Sequence, residues 1–271
     1  MKDLGLNLFE LHVVQDMSVL PVADAWENEV KLDNPDAIAA YKSELASHGL
    51  GICALLLHND FSRKDLDGEI DWVVRCTKLA SELGAPVLRI DAVMHPDVVE
   101  EWPLDKRIEV FVAAMKRLLA ATTSTGVDFG IENHGWPGND PNFLTRVIKG
   151  VDSPRLGNTL DTANFYWSGM PLSKVHLIIE QFAPTTKHCH IKSVAFPEDK
   201  REIQRELGWG YAEYCCGVDK GDIDVKRVIG ALRNANYQGT LCIENESLDR
   251  YPNPERPALL REEVAYLKSL L

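Results

Sequence analysis

No stretch of the 271-residue chain stays uncharged for the roughly 20 apolar residues that cross a bilayer, so no membrane-spanning helix is expected. The opening "MKDLGLNLFELHVV" places Asp3 and Glu10 around its apolar residues and has no small-residue cleavage site, so it does not read as a secretory signal. No CxxC pair occurs among Cys53, Cys76, Cys189, Cys215, Cys216 and Cys242. Four of these six sit in apolar or strand-like runs, which suits reduced thiols in a cytoplasmic protein and not a disulfide framework. The sequon "NES" at 245–247 carries no weight in that compartment. A basic surplus is also missing: 29 Lys and Arg stand against 41 Asp and Glu, a net charge of −12. Phosphate-backbone binders need clustered positive charge, so nucleic acid is set aside as a partner. Neither GxGxxG nor GxxxxGK[ST] occurs, which removes the usual ligand loops of a doubly wound sheet. No Pro/Gly/Ser-rich linker or low-complexity tract divides the chain, so 1–271 reads as a single domain.

What is present is an alternation. Apolar, β-rich runs appear at 6–14, 51–58, 85–92, 127–134, 155–161, 186–193 and 239–246. Between them lie helical patterns at 34–49, 70–84, 103–121, 171–182, 224–237 and 257–271. The first has Asn34 as N-cap, Pro35 in the first turn and Gly49 past its end. "WPGND" (136–140) reads as a turn that seats a further helix, and "PEDKREIQRE" (197–206) as a solvated helix. Uninterrupted strand–helix alternation argues for parallel β/α units. A (β/α)8 TIM barrel is therefore expected. Only seven strands are counted, with hardly any room for a strand and helix before residue 6, so the first β/α unit is expected to be missing.

The strand ends carry the chemistry. Residues two apart on a strand face the same side. Glu132 and His134 share a face, as do Arg89 and Asp91, His188, His190 and Lys192, Glu244 and Glu246, and Glu10 and His12. Asp161 and His58 also stand at strand ends. In a parallel barrel all C-terminal strand ends meet at one mouth, where barrel active sites lie. Within that ring Glu132, Asp161, His190 and Glu244 make a plausible metal set. Their separations, 161 − 132 = 29, 190 − 161 = 29 and 244 − 190 = 54, match one β/α unit, one unit, and a unit with a long loop. Three carboxylates and an imidazole suit one divalent ion, with Mn2+ favoured and Mg2+, Co2+ or Zn2+ also compatible.

At "GIENHG" (130–135), "LDTANF" (160–165), "HCHIKS" (188–193), "GVDKGDID" (217–224) and "CIENE" (242–246) the sequence resembles the xylose isomerase-like TIM barrels, the sugar phosphate isomerase/epimerase superfamily. The likeness runs across the chain from residue 4 and rests on the order and spacing of these motifs together. It implies a (β/α)8 fold and one metal held by Glu132, Asp161, His190 and Glu244. It further implies proton abstraction beside a metal-bound carbonyl through an enediolate, with Glu132 and Glu244 as the catalytic acid/base pair, on a sugar or polyol, free or phosphorylated. Two positions depart from the ketose 3-epimerase pattern. Asn164 replaces a histidine and Phe196 replaces an arginine that contact substrate in those relatives, which leaves the substrate open. Dehydratases of the inositol and shikimate pathways belong to the same superfamily and form the alternative reading. Its endonuclease branch has a basic DNA face, which the net charge contradicts. Dimers and tetramers are common in the family, so a homo-oligomer is an open expectation. A non-catalytic binding barrel, with a partner on the open edge, is the alternative from another class.

Further pocket candidates are His58, Arg89, His134, Asn164, His188, Lys192 and Trp209. His134 suits a substrate hydroxyl or the orientation of Glu132. His188 suits substrate or a replacement ligand. Lys192 suits a phosphate or enediolate oxygen, or else a solvated loop. Arg89 suits an anion, or else a salt bridge to Asp91. "ELGWGYAEYCCGVDKGD" (206–222) reads as a lid whose Trp209, Tyr211 and Tyr214 cover a sugar face or make a subunit contact. His48 and His176 lie in helical patterns and read as surface residues.

Overall fold

The computed structural model describes residues 1–22 and 28–271. Seven strands form one parallel sheet in chain order: β1 (Leu8–His12), β2 (Gly51–Leu56), β3 (Val87–Ile90), β4 (Asp128–Glu132), β5 (Leu156–Asp161), β6 (Thr186–Ile191) and β7 (Leu241–Ile243). Every neighbouring pair is parallel. The sheet curls into a nearly closed barrel, the seven-stranded form expected from the sequence. Among the described residues β1 and β7 pair with no strand on their outer edges, and a seam runs between them.

The helices outside the barrel are α1 (Pro35–His48), α2 (Leu66–Leu83), α3 (Leu104–Ala121), α4 (Pro141–Val151), α5 (Leu172–Phe182), α6 (Val225–Asn234) and α7 (Arg256–Leu270). Their ends follow from local chemistry. The Asn34 side chain accepts from Ala37 N at 3.0 Å, and Gly49 closes α1 in the left-handed region at φ 63°. Helix α2 starts before its apolar periodicity does, because Asp65 caps the free N–H of Gly68 at 2.9 Å. After one short helical turn at Gly135–Gly138, Asp140 caps Asn142 N and Pro141 opens α4. The apolar faces meet in edge-to-face rings such as Phe61–Phe111–Phe143, with centroids 5.2 and 5.7 Å apart. Each fully buried Phe contributes about 1.5–3 kcal/mol.

Two expectations need correction. Only Glu198–Arg201 of the charged 197–206 segment is helical. Arg205 is buried there, donating to Tyr166 O and Met170 O and stacking on the Tyr166 and Phe196 rings. His176 is not a surface residue. It is buried on α5, and its Nε2 accepts from Asp224 N at 3.0 Å, just where α6 begins.

Candidate metal centre

Parallel strands deliver four side chains to one point. Glu132 is the last residue of β4, Asp161 the last of β5, His190 the penultimate residue of β6, and Glu244 follows β7. One donor atom from each lies within 4.8 Å of all the others. Glu132, Asp161 and His190 are essentially inaccessible, whereas the Glu244 side chain keeps 34 % of its exposure. Asp161 Oδ1 accepts from Ala163 N at 2.8 Å and Asn164 N at 2.7 Å. Its Oδ2 makes no hydrogen bond of ordinary geometry, and neither does Glu244 Oε2; both meet the Lys192 ammonium, at 3.3 and 3.2 Å. Two such oxygens facing one point beside a third carboxylate and an imidazole fit a hard-to-borderline divalent cation.

Two protein cations sit among these anions. The Lys192 ammonium lies 3.3 Å from Asp161 Oδ2, 3.2 Å from Glu244 Oε2 and 2.8 Å from Glu246 Oε1. Burial works against its charge, yet Asp161 and Glu244 hold its pKa well above the ordinary lysine range. Lys192 is 2 % exposed, which removes the solvated-loop alternative. Burial likewise disfavours the charged His190 imidazole, but Glu10 and Glu132 outweigh it and raise its pKa. Burial pushes the Asp161 carboxyl up; Lys192 pulls the other way, and Glu244 and Glu132 add to the rise. Glu132 and Glu244 go down despite burial, the first through Arg89 and His190, the second through His190 and Lys192.

The structure sorts the remaining candidates. Arg89 is buried, with its guanidinium on Glu132, on Asp91 Oδ1 at 3.0 Å and on Leu57 O at 2.7 Å. The expected pair with Asp91 is present, extended to Glu132. Asp91 in turn holds His58 Nδ1 at 3.0 Å and His134 Nδ1 at 2.9 Å, so both imidazoles stand together beside the mouth. Asn164 donates to Glu132 Oε1 at 3.2 Å and so orients a member of the set. Phe196, at the position of the epimerase arginine, is buried in an aromatic cluster with Tyr166, Trp209 and Tyr214. Trp209 stacks on Tyr214 at 5.8 Å in that cluster. Within 206–222 the residue that approaches the centre is Tyr211, whose buried hydroxyl lies beside Lys192 and Glu246. That segment is anchored by antiparallel pairing of Cys215–Cys216 with Ser193–Val194, immediately after β6. His188 points deeper into the barrel than His190 and is buried.

One residue is missing from the sequence-derived set. Glu10 on β1 reaches across to His190 Nε2 at 3.0 Å and His188 Nε2 at 3.3 Å. Its signal is present in the sequence as the Glu10/His12 alternation. A register shift between Phe9 and Glu10 then decides where the side chain goes.

The sequence model of the xylose isomerase-like TIM barrels matches residues 1–270. The chain belongs to that family. Inosose dehydratase 1 of Bacillus cereus is 23 % identical over 279 residues, covering 96 % of this chain and 89 % of its own. An uncharacterized protein of Methanocaldococcus jannaschii is 23 % identical over 163 residues, 58 % of this chain. The match spans 50 % of that archaeal protein's length. Among solved structures, a xylose isomerase-like TIM barrel protein from Mycobacterium smegmatis in complex with magnesium superimposes with a TM-score of 0.71 at 16 % identity, covering 99 % of this chain and 85 % of its own. An L-ribulose 3-epimerase does so with a TM-score of 0.69 at 17 % identity, covering 100 % and 86 %. The family thus holds epimerases, isomerases and dehydratases on one barrel.

Proposed function

We propose that the protein is a divalent-metal-dependent isomerase or epimerase of a sugar or polyol, free or phosphorylated. The observation that carries this reading is the convergence of Glu132, Asp161, His190 and Glu244 on one point. A divalent ion held by these four supplies Lewis acidity, making a C–H beside a substrate carbonyl easier to ionise. Glu244 is the base. Of the four it is the accessible carboxylate, its side chain keeping 34 % of its exposure. Breaking the C–H bond puts the proton on Glu244 and the electron pair on the carbonyl oxygen, giving an enediolate. The Lys192 ammonium, held charged nearby, favours that developing negative charge. Glu132 is the second carboxyl of the acid/base pair. Its Oε1 makes only two contacts of 3.2 Å, to His190 and Asn164, and can exchange them for a substrate hydrogen. Delivery of a proton from Glu132, in its protonated form, to the opposite face gives the epimer and leaves the abstracted proton on Glu244, the two carboxyls resetting by exchange with solvent; return of the Glu244 proton to the adjacent carbon, with the hydroxyl proton moving to the other oxygen, gives the isomer.

A dehydratase is the second reading, favoured by the likeness to inosose dehydratase along 96 % of the chain. It shares the first proton abstraction and then expels a β-hydroxyl. Proton NMR separates the two. The Mn2+-loaded protein is incubated in D2O with ketoses, inososes and their phosphates, then freed of metal. Deuterium wash-in beside the carbonyl, with no loss of water, is the expected result. An unsaturated keto product would favour the dehydratase. Absence of exchange on every compound would overturn the proton-transfer reading.

A further inference from the structure

A second cluster of donors lies one pleat below the centre just described. His188 precedes His190 by two residues on β6, so both face the barrel interior. Cys53 comes from β2 and Cys242 from β7. Cys53 sits at the register step: Phe9 pairs Ile52 and Glu10 pairs Ala54, which leaves Cys53 without a partner on β1. One donor atom each from Cys53, His188 and Cys242 lies within 4.8 Å of the other two. Cys53 and His188 are buried, and Cys242 is half-buried.

Buried cysteines usually pack as small apolar groups. Two observations set this pair apart. His188 Nε2 is buried and makes no hydrogen bond of ordinary geometry, its ion-pair partner being Glu10 Oε1 at 3.3 Å. Glu10 also contacts His190, so its carboxylate stands between the two clusters. The seam then provides a way in. A cavity of about 600 Å3 opens between β1 and β7 under α7, lined by Leu8, Phe9, Leu241, Ile243 and Val264. Glu10, Cys53 and Cys242 all border it.

We infer that Cys53, Cys242 and His188 form a second metal site, selective for a thiophilic ion of the Zn2+ class, with Glu10 beside the fourth position. Zinc bonds of about 2.3 Å to sulfur and 2.0–2.1 Å to nitrogen place the donors of one ion within about 4 Å of each other. The three donors lie within 4.8 Å of one another, so at most a small contraction reaches that. Two thiolates and an imidazole reject Mg2+ and Mn2+ and take Zn2+, whereas the carboxylate-rich centre above takes the harder ions. Zinc binding releases the two thiol protons to solvent, so it is accompanied by acidification. Glu10 touches both His188 and His190, and so joins the two sites. The inference rests on these donors alone and not on the proposed reaction.

X-ray absorption on the reduced, metal-stripped chain loaded with two equivalents of Zn2+ tests this on the unaltered protein. Sulfur neighbours at about 2.3 Å are expected. Only oxygen and nitrogen neighbours would overturn the site. Co2+ provides the second measurement. A thiolate-to-cobalt charge-transfer band is expected in the wild type and in Glu132→Gln, and is expected to vanish in Cys53→Ser and in Cys242→Ser. Absence of the band from the wild type, or its survival in both serine variants, would overturn it as well.

Discussion

Glu132, Asp161 and His190 stand on strands paired on both sides, whereas Glu244 and Glu10 belong to the two ends of the sheet that border the seam. The difference shows in their surroundings. On the closed wall each carboxylate is fixed by the chain itself: Glu132 by Arg89 and Asn164, Asp161 by two backbone N–H groups. At the seam, Glu244 and its neighbour Glu246 meet only Lys192 and His190 among the described ion pairs, and both keep a third or more of their side-chain exposure. The wall therefore sets where an ion sits, and the seam supplies the carboxylate that is free to move. A ligand that also carries a proton belongs on the looser side.

The largest effect expected from breaking this contrast is on stability. Arg89→Met leaves the buried Glu132 and Asp91 carboxylates without their common partner. The loss is expected to be about 3–5 kcal/mol, read by urea unfolding of the metal-free protein. A loss below about 1 kcal/mol would mean that the wall does not depend on that pairing. Next comes Asn164→Ala, which removes the donor that orients Glu132. Such outer-shell changes cost on the order of 10–100-fold in metal affinity, here read by Mn2+ titration.

Asp161→Asn is expected to act in two directions. Its carboxyl has a raised folded-state pKa, chiefly through burial, with Glu244 and Glu132 adding. A raised pKa means that the ionised form costs stability above that pKa, and that the cost disappears as pH falls through it. The asparagine variant is therefore expected to be more stable than the metal-free wild type at about pH 8, by about 1–2 kcal/mol. The advantage should shrink toward about pH 5, and Mn2+ should no longer raise the melting temperature. A variant less stable at both pH values would contradict the charge assignment. The smallest effect belongs to the seam: Glu246→Gln, exposed and touching Lys192 alone among the described ion pairs, is expected to change Mn2+ affinity by less than about tenfold. An effect as large as that of Asn164→Ala would erase the distinction between wall and seam.

Much of this was legible in the chain. Period-two alternation at the ends of apolar runs exposed Glu132, Asp161, His190 and Glu244, because parallel topology gathers such ends without further information. The count of seven strands was legible for the same reason. Contacts between distant strands were not. Arg89 reads equally as an anion site or an ion pair until β3 lies beside β4 and delivers Glu132. Glu10 is legible as a strand-end residue sharing a face with His12, but its place beside the two histidines is not, because a single register step aims it there. His176 and Arg205 look like surface residues on helical or charged segments. Their burial depends on α6 and the Tyr166 ring, which no local pattern announces.

The central claim is that the strand ends assemble one hard-metal centre, and Mn2+ titration followed by electron paramagnetic resonance tests it most directly. The protein should be stripped of metal and kept reduced. The account requires about one bound Mn2+ per chain in the wild type and none in Glu132→Gln or Asp161→Asn, with both variants folded by circular dichroism. A wild type that leaves all added Mn2+ free in solution would contradict it, as would variants that bind the ion as well as the parent does.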